Sequence, residues 1–161
     1  PTQFAEAVEQ GIQDAMSNGV LAGFSLIDLK VSLIAGDYLE EISTEVAFTI
    51  AGVHALRDGA QKALPTLLEP TMKIEVVTPV PFTGEVIGDL NARHGRIRGM
   101  EEQGGIQVVS AEAPLAEMFG YSTRLRSLTQ GRASFTMHFS HYTSVTESTR
   151  KVLIGEPVSP G

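Results

Sequence analysis

Arginine is the residue type whose placement here could do chemistry. Arg93, Arg96 and Arg98 form one group, and Arg124, Arg126 and Arg132 form another. A guanidinium is always charged and presents a planar fork of donors, so clustered arginines suit phosphate contact. The plainer alternative is a solvated surface. Other reactive arrangements do not stand out. The sequence has no G-x-x-x-x-G-K-[ST] or G-x-G-x-x-G to cradle a nucleotide. None of its serines lies in G-x-S-x-G. With zero cysteines it can form neither disulfides nor thiolate metal sites. His138 and His141 straddle a strand end, at a spacing that puts them on opposite faces of a regular strand, and His54 and His94 are isolated. Glu40-Glu41 and Glu101-Glu102 are adjacent pairs, which read as solvated faces rather than acid–base dyads. The expectation is no catalytic residue, no metal ligand and no cofactor within these residues.

Composition describes an ordinary folded globular protein, and the order of its elements an α+β one. Hydrophobic residues make up 42% and charged residues 19% of 161 positions. No apolar run approaches the length of a transmembrane helix, and the N-terminus lacks the pattern of a signal peptide. The net charge of −7 argues against general nucleic-acid binding, but its distribution is uneven. Before residue 71, three bases (Lys30, Arg57, Lys62) face ten acids; from residue 71 onward, nine bases meet nine acids. The second half is therefore neutral and can present a local basic face.

Two units must position these residues. Residues 4–18 predict an amphipathic helix with Phe4, Val8, Ile12 and Ala15 or Met16 on one face, ended by Asn18-Gly19. Residues 25–34 alternate, with Ile27, Leu29, Val31 and Leu33 on one side, and predict a half-buried strand. After a polar loop, Ser43 or Thr44 caps a second helix whose expected buried stripe is Phe48, Ala51, Ala55 or Leu56, and Ala60. The Pro-bounded stretch 64–70 reads as a join. One strand cannot cover two apolar helix faces, so this unit reads as part of something larger. The second unit reads β-α-β-β-α-β: a strand at 72–76, a helix capped by Thr83 and ended by Gly95, strands at 96–101 and 106–113 around Gln103-Gly104-Gly105, a helix from Pro114, and a strand at 134–139. This is the ferredoxin-like order, four antiparallel strands with two helices on one face. The last helix takes Leu115, Phe119 or Met118, Tyr121, Leu125 and Leu128 as its apolar side, with Gly120 marking a kink or close approach and Gly131 its stop. A short helix after Tyr142 and a fraying end through residues 155–161 complete the reading.

The wording of the stretch 114–142, PLAEMFGYSTRLRSLTQGRASFTMHFSHY, resembles the C-terminal domain of elongation factor G, the translational GTPase of bacteria and organelles. AVEQGIQDAMSNGVLAG (7–23), LLEPTMKIEVVTP (67–79) and GEVIGDLNARHGRIRGMEEQGG (84–105) resemble it too. The resemblance implies that residues 1–70 are the later part of domain IV, of ribosomal protein S5 domain 2-like fold, that 71–145 are the ferredoxin-like domain V, and that 146–161 are a tail. It implies a ribosome-binding module in tRNA–mRNA translocation, with ribosomal RNA and the tRNA–mRNA duplex at the decoding centre as partners. It also implies GTPase domains upstream in the same polypeptide, which would carry GTP and magnesium, and a cytoplasmic location without membrane contact. The chain itself is then not an enzyme. Under this reading Arg93, Arg96, Arg98, Arg124, Arg126 and Arg132 contact ribosomal RNA, and Tyr38, Leu39, Glu40, Glu41, Ile42 and Ser43 form the tip of domain IV. The family tip reads Y-H-x-V-D-S-S-E; here Leu39 stands at the histidine position and Ile42 at the aspartate position. That departure points to a paralogue specialised for ribosome recycling or resistance as the alternative. A stand-alone interaction or sensor module is the alternative of another class, since this fold hosts many functions.

Overall fold

The structure, a computed structural model, describes residues 2–155; the fraying expected beyond residue 155 lies outside them. The chain divides into two compact units, residues 2–67 with 146–155, and residues 68–145.

The first unit is built on α1 (Ala5–Asn18) and α2 (Glu45–Lys62). α1 turns Val8, Gly11 and Ala15 inward, with Phe4 just before it also buried, close to the stripe the spacing predicts. Thr44 caps α2, its Oγ1 accepting the Ala47 N–H at 3.1 Å. The stripe on α2 is shifted from expectation. Gly52 is buried and Phe48, Leu56 and Ala60 are half-buried, while Ala51 and Ala55 are exposed. The helices meet where side chains are absent, which explains the shift. A Cβ on Gly52 would lie 2.7 Å from the Val8 carbonyl oxygen, and one on Gly11 would collide with the Thr49 carbonyl. Close backbone contact is the use of glycine here. α5 (Glu147–Ile154) is the expected last helix, capped by Thr146 and closed by Gly155 at φ 75°.

The strand expected at 25–34 does not form. The segment has no regular secondary structure; it is tied to α1 by the Leu26 N–H donating to the Met16 carbonyl at 2.8 Å, and no described residue pairs with it in a ladder. Ile27, Leu29, Val31 and Leu33 stay between 39% and 56% exposed. Asp28, at φ 59°, interrupts the alternation. Alternation specifies which side chains share a face; a ladder also needs a neighbour's donors and acceptors.

The second unit realises the expected order: β1 (Leu68–Pro79), α3 (Thr83–Ala92), β2 (Arg96–Gln103), β3 (Ile106–Pro114), α4 (Tyr121–Leu128) and β4 (Ser134–Ser144). All neighbours are antiparallel, in the order β2-β3-β1-β4. Ile74 and Val76 of β1 and Val109 and Ala111 of β3 meet Val86 and Leu90 of α3 and Met118, Tyr121 and Leu125 around α4, all essentially sealed from solvent. Both helices thus cover one face of the sheet. β1 starts inside the stretch expected as a join. It tolerates Pro70 because β3 first pairs at Thr71, so the missing N–H costs no rung on that side. Gly104 and Gly105, both at positive φ, make the two-residue hairpin between β2 and β3. Thr83 does not cap α3; Phe82, the last residue of the 3-10 turn Val80–Phe82, holds that position, and the Thr83 hydroxyl is buried without a partner.

The helix expected from Pro114 is two pieces. A 3-10 turn, Leu115–Met118, is separated from α4 by Phe119 and Gly120. Phe119 at φ −60°, ψ 132° and Gly120 at φ 73°, ψ 4° are the corner residues of a type II turn. Met118 and Tyr121, either side of it, are buried, while Phe119 is 79% exposed. Gly120 is the kink its position foretold, and Met118 rather than Phe119 takes the inward place. β4 also departs from simple alternation. The register skips Ser140, pairing His138 with Lys73 and His141 with Thr71, so the two histidines share a face.

Candidate nucleic-acid interface

The six arginines occupy four settings. Arg93 closes α3 and turns inward. Its Nε donates to Asp89 at 2.9 Å, and Nη1 donates to the carbonyls of Glu117 at 2.5 Å and Phe119 at 3.2 Å. The guanidinium carbon lies 5.2 Å from the centre of the Tyr121 ring. Its side chain is 18% exposed, and that of Asp89 is 11% exposed. Arg124, from α4, reaches the other oxygen of the same carboxylate at 3.2 Å. One half-buried acid on α3 therefore anchors two arginines, and Arg93 in turn clasps the turn before α4. These are charge-assisted bonds in a partly dry setting, where removing one partner strands the other.

Arg96 and Arg98 lie on the side of the sheet opposite the helices. Arg98 donates through Nε to Glu112 at 2.8 Å, and Arg96 stands opposite Glu112 in the ladder. The register continues the row through Glu112, Lys73 and His138. Lys73 belongs with this group although arginine spacing alone does not point to it; its place between Met72 and Ile74 was the available signal. Arg132 sits over the Phe82 ring at 5.6 Å. Arg126, in the last turn of α4, is exposed and makes no ion pair among the described residues. The structure thus brings Arg93 to Arg124 and Arg96 to Arg98, and engages Arg93 chiefly with its own unit.

Tyr121 lies at the base of this cluster. Its hydroxyl is buried without a partner, and its ring meets Phe135 edge-on at 4.9 Å. Burial, reinforced by the Asp89 charge and opposed by Arg93, pushes its pKa well above the ordinary tyrosine range. It stays neutral and serves packing.

In the first unit, residues 38–44 form a tight turn. The Leu39 N–H donates to the Ser43 hydroxyl and the Ser43 N–H donates back to the Leu39 carbonyl, both at 2.9 Å. Tyr38 leans on Phe4 at 5.8 Å, and Phe4 stacks on Phe48 at 4.4 Å. Ser43 therefore shapes the turn, while Leu39 and Ile42 point outward at 62% and 67% exposure, beside exposed Glu40 and Glu41. Among the described residues no three histidines or carboxylates converge as a metal site. No described helix is long and apolar enough to cross a membrane.

Comparison with known proteins gives these features a context. Residues 1–64 match the family described as elongation factor G, domain IV, and residues 66–153 the family described as elongation factor G C-terminus. An elongation factor G of Aquifex pyrophilus is 53% identical over 156 residues, which is 97% of this chain and 22% of that protein. A crystal structure of a protein from Thermus thermophilus superposes with a TM-score of 0.88 at 41% identity, over 96% of this chain and 23% of the other. The chain thus spans less than a quarter of the length of either.

Proposed function

Because the chain belongs to the elongation factor G family, we propose that it is the ribosome-contacting part of a translational GTPase acting in tRNA–mRNA translocation. The observation that carries this reading is the match of residues 1–64 and 66–153, in order, to two regions of one family. Its contribution is mechanical. The 161 residues contain no phosphate-loop motif, and GTP and magnesium belong to the rest of such a protein. Ribosomal RNA, the tRNA–mRNA duplex and upstream GTPase domains are the partners the reading requires, in the cytoplasm.

Geometry favours some of these arginines over others for the proposed RNA contacts. Arg96, Arg126 and Arg132 have guanidinium groups uncommitted to carboxylates among the described residues. Arg98 and Arg124 are about half exposed and can exchange a carboxylate for a phosphate. Arg93 acts by holding the scaffold. Binding of the chain to ribosomes, measured across a salt series, tests this. Arg126→Ala and Arg132→Ala should each weaken binding and lower the salt slope by about 1. Unchanged affinity in both would overturn the contact assignment.

Exposed Leu39 and Ile42 favour a second reading at the tip, a paralogue specialised for ribosome recycling or resistance. An apolar pair cannot hydrogen-bond or neutralise charge beside tRNA. A protein carrying this tip that splits ribosomes but translocates poorly would support it; full translocation activity would remove it.

A further inference from the structure

We propose that Phe119 is a stacking residue for an unpaired base of RNA, presented on a turn that the fold holds rigid for that purpose. The inference rests on the ribosome-binding reading above and adds a residue and a mode of contact to it. Phe119 is the most exposed aromatic side chain among the described residues, at 79%. It is also held at both ends. Met118 before it is 6% exposed and Tyr121 after it is 1% exposed, so the turn's two feet are set in the core. Gly120 supplies the positive φ of 73° that a type II turn demands at its second corner. Arg93 donates to the carbonyls of Glu117 and Phe119 from beneath, and its guanidinium is itself fixed by Asp89 and the Tyr121 ring. A large apolar ring raised on a corner this firmly braced loses little freedom on binding.

The surroundings favour a base over an apolar pocket of a protein. Asp89 is neutralised by two arginines, and Glu117 faces His94 at 3.4 Å. The N–H of Arg124 donates to the Gly120 carbonyl, so Arg124 lies one helical turn beyond the residue that follows Phe119, with its side chain 55% exposed. An exposed aromatic ring on a turn bonded by one arginine and followed by another matches the mix of stacking and phosphate attraction by which single-stranded bases are held.

The test uses the 161-residue chain with two probes, intact ribosomes and ribosomal RNA stripped of protein, each across a salt series. Phe119→Ala should weaken binding to both by roughly ten- to a hundredfold with the salt slope unchanged, since stacking releases no counterions. Phe119→Trp should retain affinity, and thermal unfolding of both variants should match the parent because the ring is exposed. If Phe119→Ala binds stripped RNA as well as the parent does, the stacking role is overturned; weakened binding to intact ribosomes alone would then assign the ring to a protein pocket. If the parent chain binds neither probe, the ribosome-binding reading falls and this inference with it.

Discussion

Residues 25–34 and β1 carry the same kind of pattern, alternating apolar and polar side chains, and meet opposite fates. β1 lies between two partners, and its Ile74 and Val76 are 0% exposed. The 25–34 segment has no partner among the described residues, and its four apolar side chains remain about half exposed. Periodicity decides which side chains could be buried together, while pairing decides whether they are. A backbone left without a ladder has no reason to hold the pleat that sorts its side chains.

The largest expected effect follows directly. Leu90→Ala in the sealed core of the second unit should cost about 3–4 kcal/mol, whereas Leu29→Ala should cost less than about 0.5 kcal/mol. Urea titration with hydrogen exchange resolved by unit would show it, and equal losses would erase the contrast. Gly52→Ala comes next. Its Cβ has no room against the Val8 carbonyl, so the first unit should lose about 2 kcal/mol while exchange in β1 and β3 stays unchanged. Gly120→Ala should cost the second unit about 1–2 kcal/mol through its left-handed corner alone, since nothing lies within 4 Å of the added carbon. A thermal scan that shows no loss would mean the turn can adopt another form. Tyr121→Phe should be the mildest, within about 0.5 kcal/mol at neutral pH, because the hydroxyl it removes has no partner. Its signature lies in alkali. Burial raises the native pKa above the unfolded value near 10. The unfolded chain therefore loses that proton first, and stability falls as pH rises past 10. The phenylalanine variant should lack that component of the decline.

Much of the second unit was legible because its signals are local. The two glycines of the β2–β3 hairpin, the stop at Gly95 and the alternation of β1 and β3 each specify their own few residues. α3 ends at Ala92 and the chain turns through His94 at φ 57°, and Gly95 follows where a Cβ would come within 2.6 Å of the Leu90 carbonyl oxygen. The misreadings came where a neighbour decides. Helical spacing alone cannot tell that one glycine turns a helix into two pieces and throws Phe119 outward. The skipped residue in β4, which puts His138 and His141 on one face, depends on how β4 pairs with β1. At the candidate interface, arginine spacing groups Arg93 with Arg96 and Arg98, whereas the fold joins Arg93 to Arg124 through Asp89 and leaves Arg96 and Arg98 beside Glu112. Arg93 reads as a surface cation until Asp89, one helical turn away, is seen to be shared with Arg124 from α4. Lys73 was hidden for the same reason, its neighbours in the row coming from three other strands.

The two ends of the second unit are rungs of one ladder, since Leu68, where β1 begins, pairs with Ser144, where β4 finishes. Chain enters and leaves through a single doorway. Tension applied between those two points would not slide the strands past each other against many bonds at once; it would part them from the doorway inward, one rung at a time.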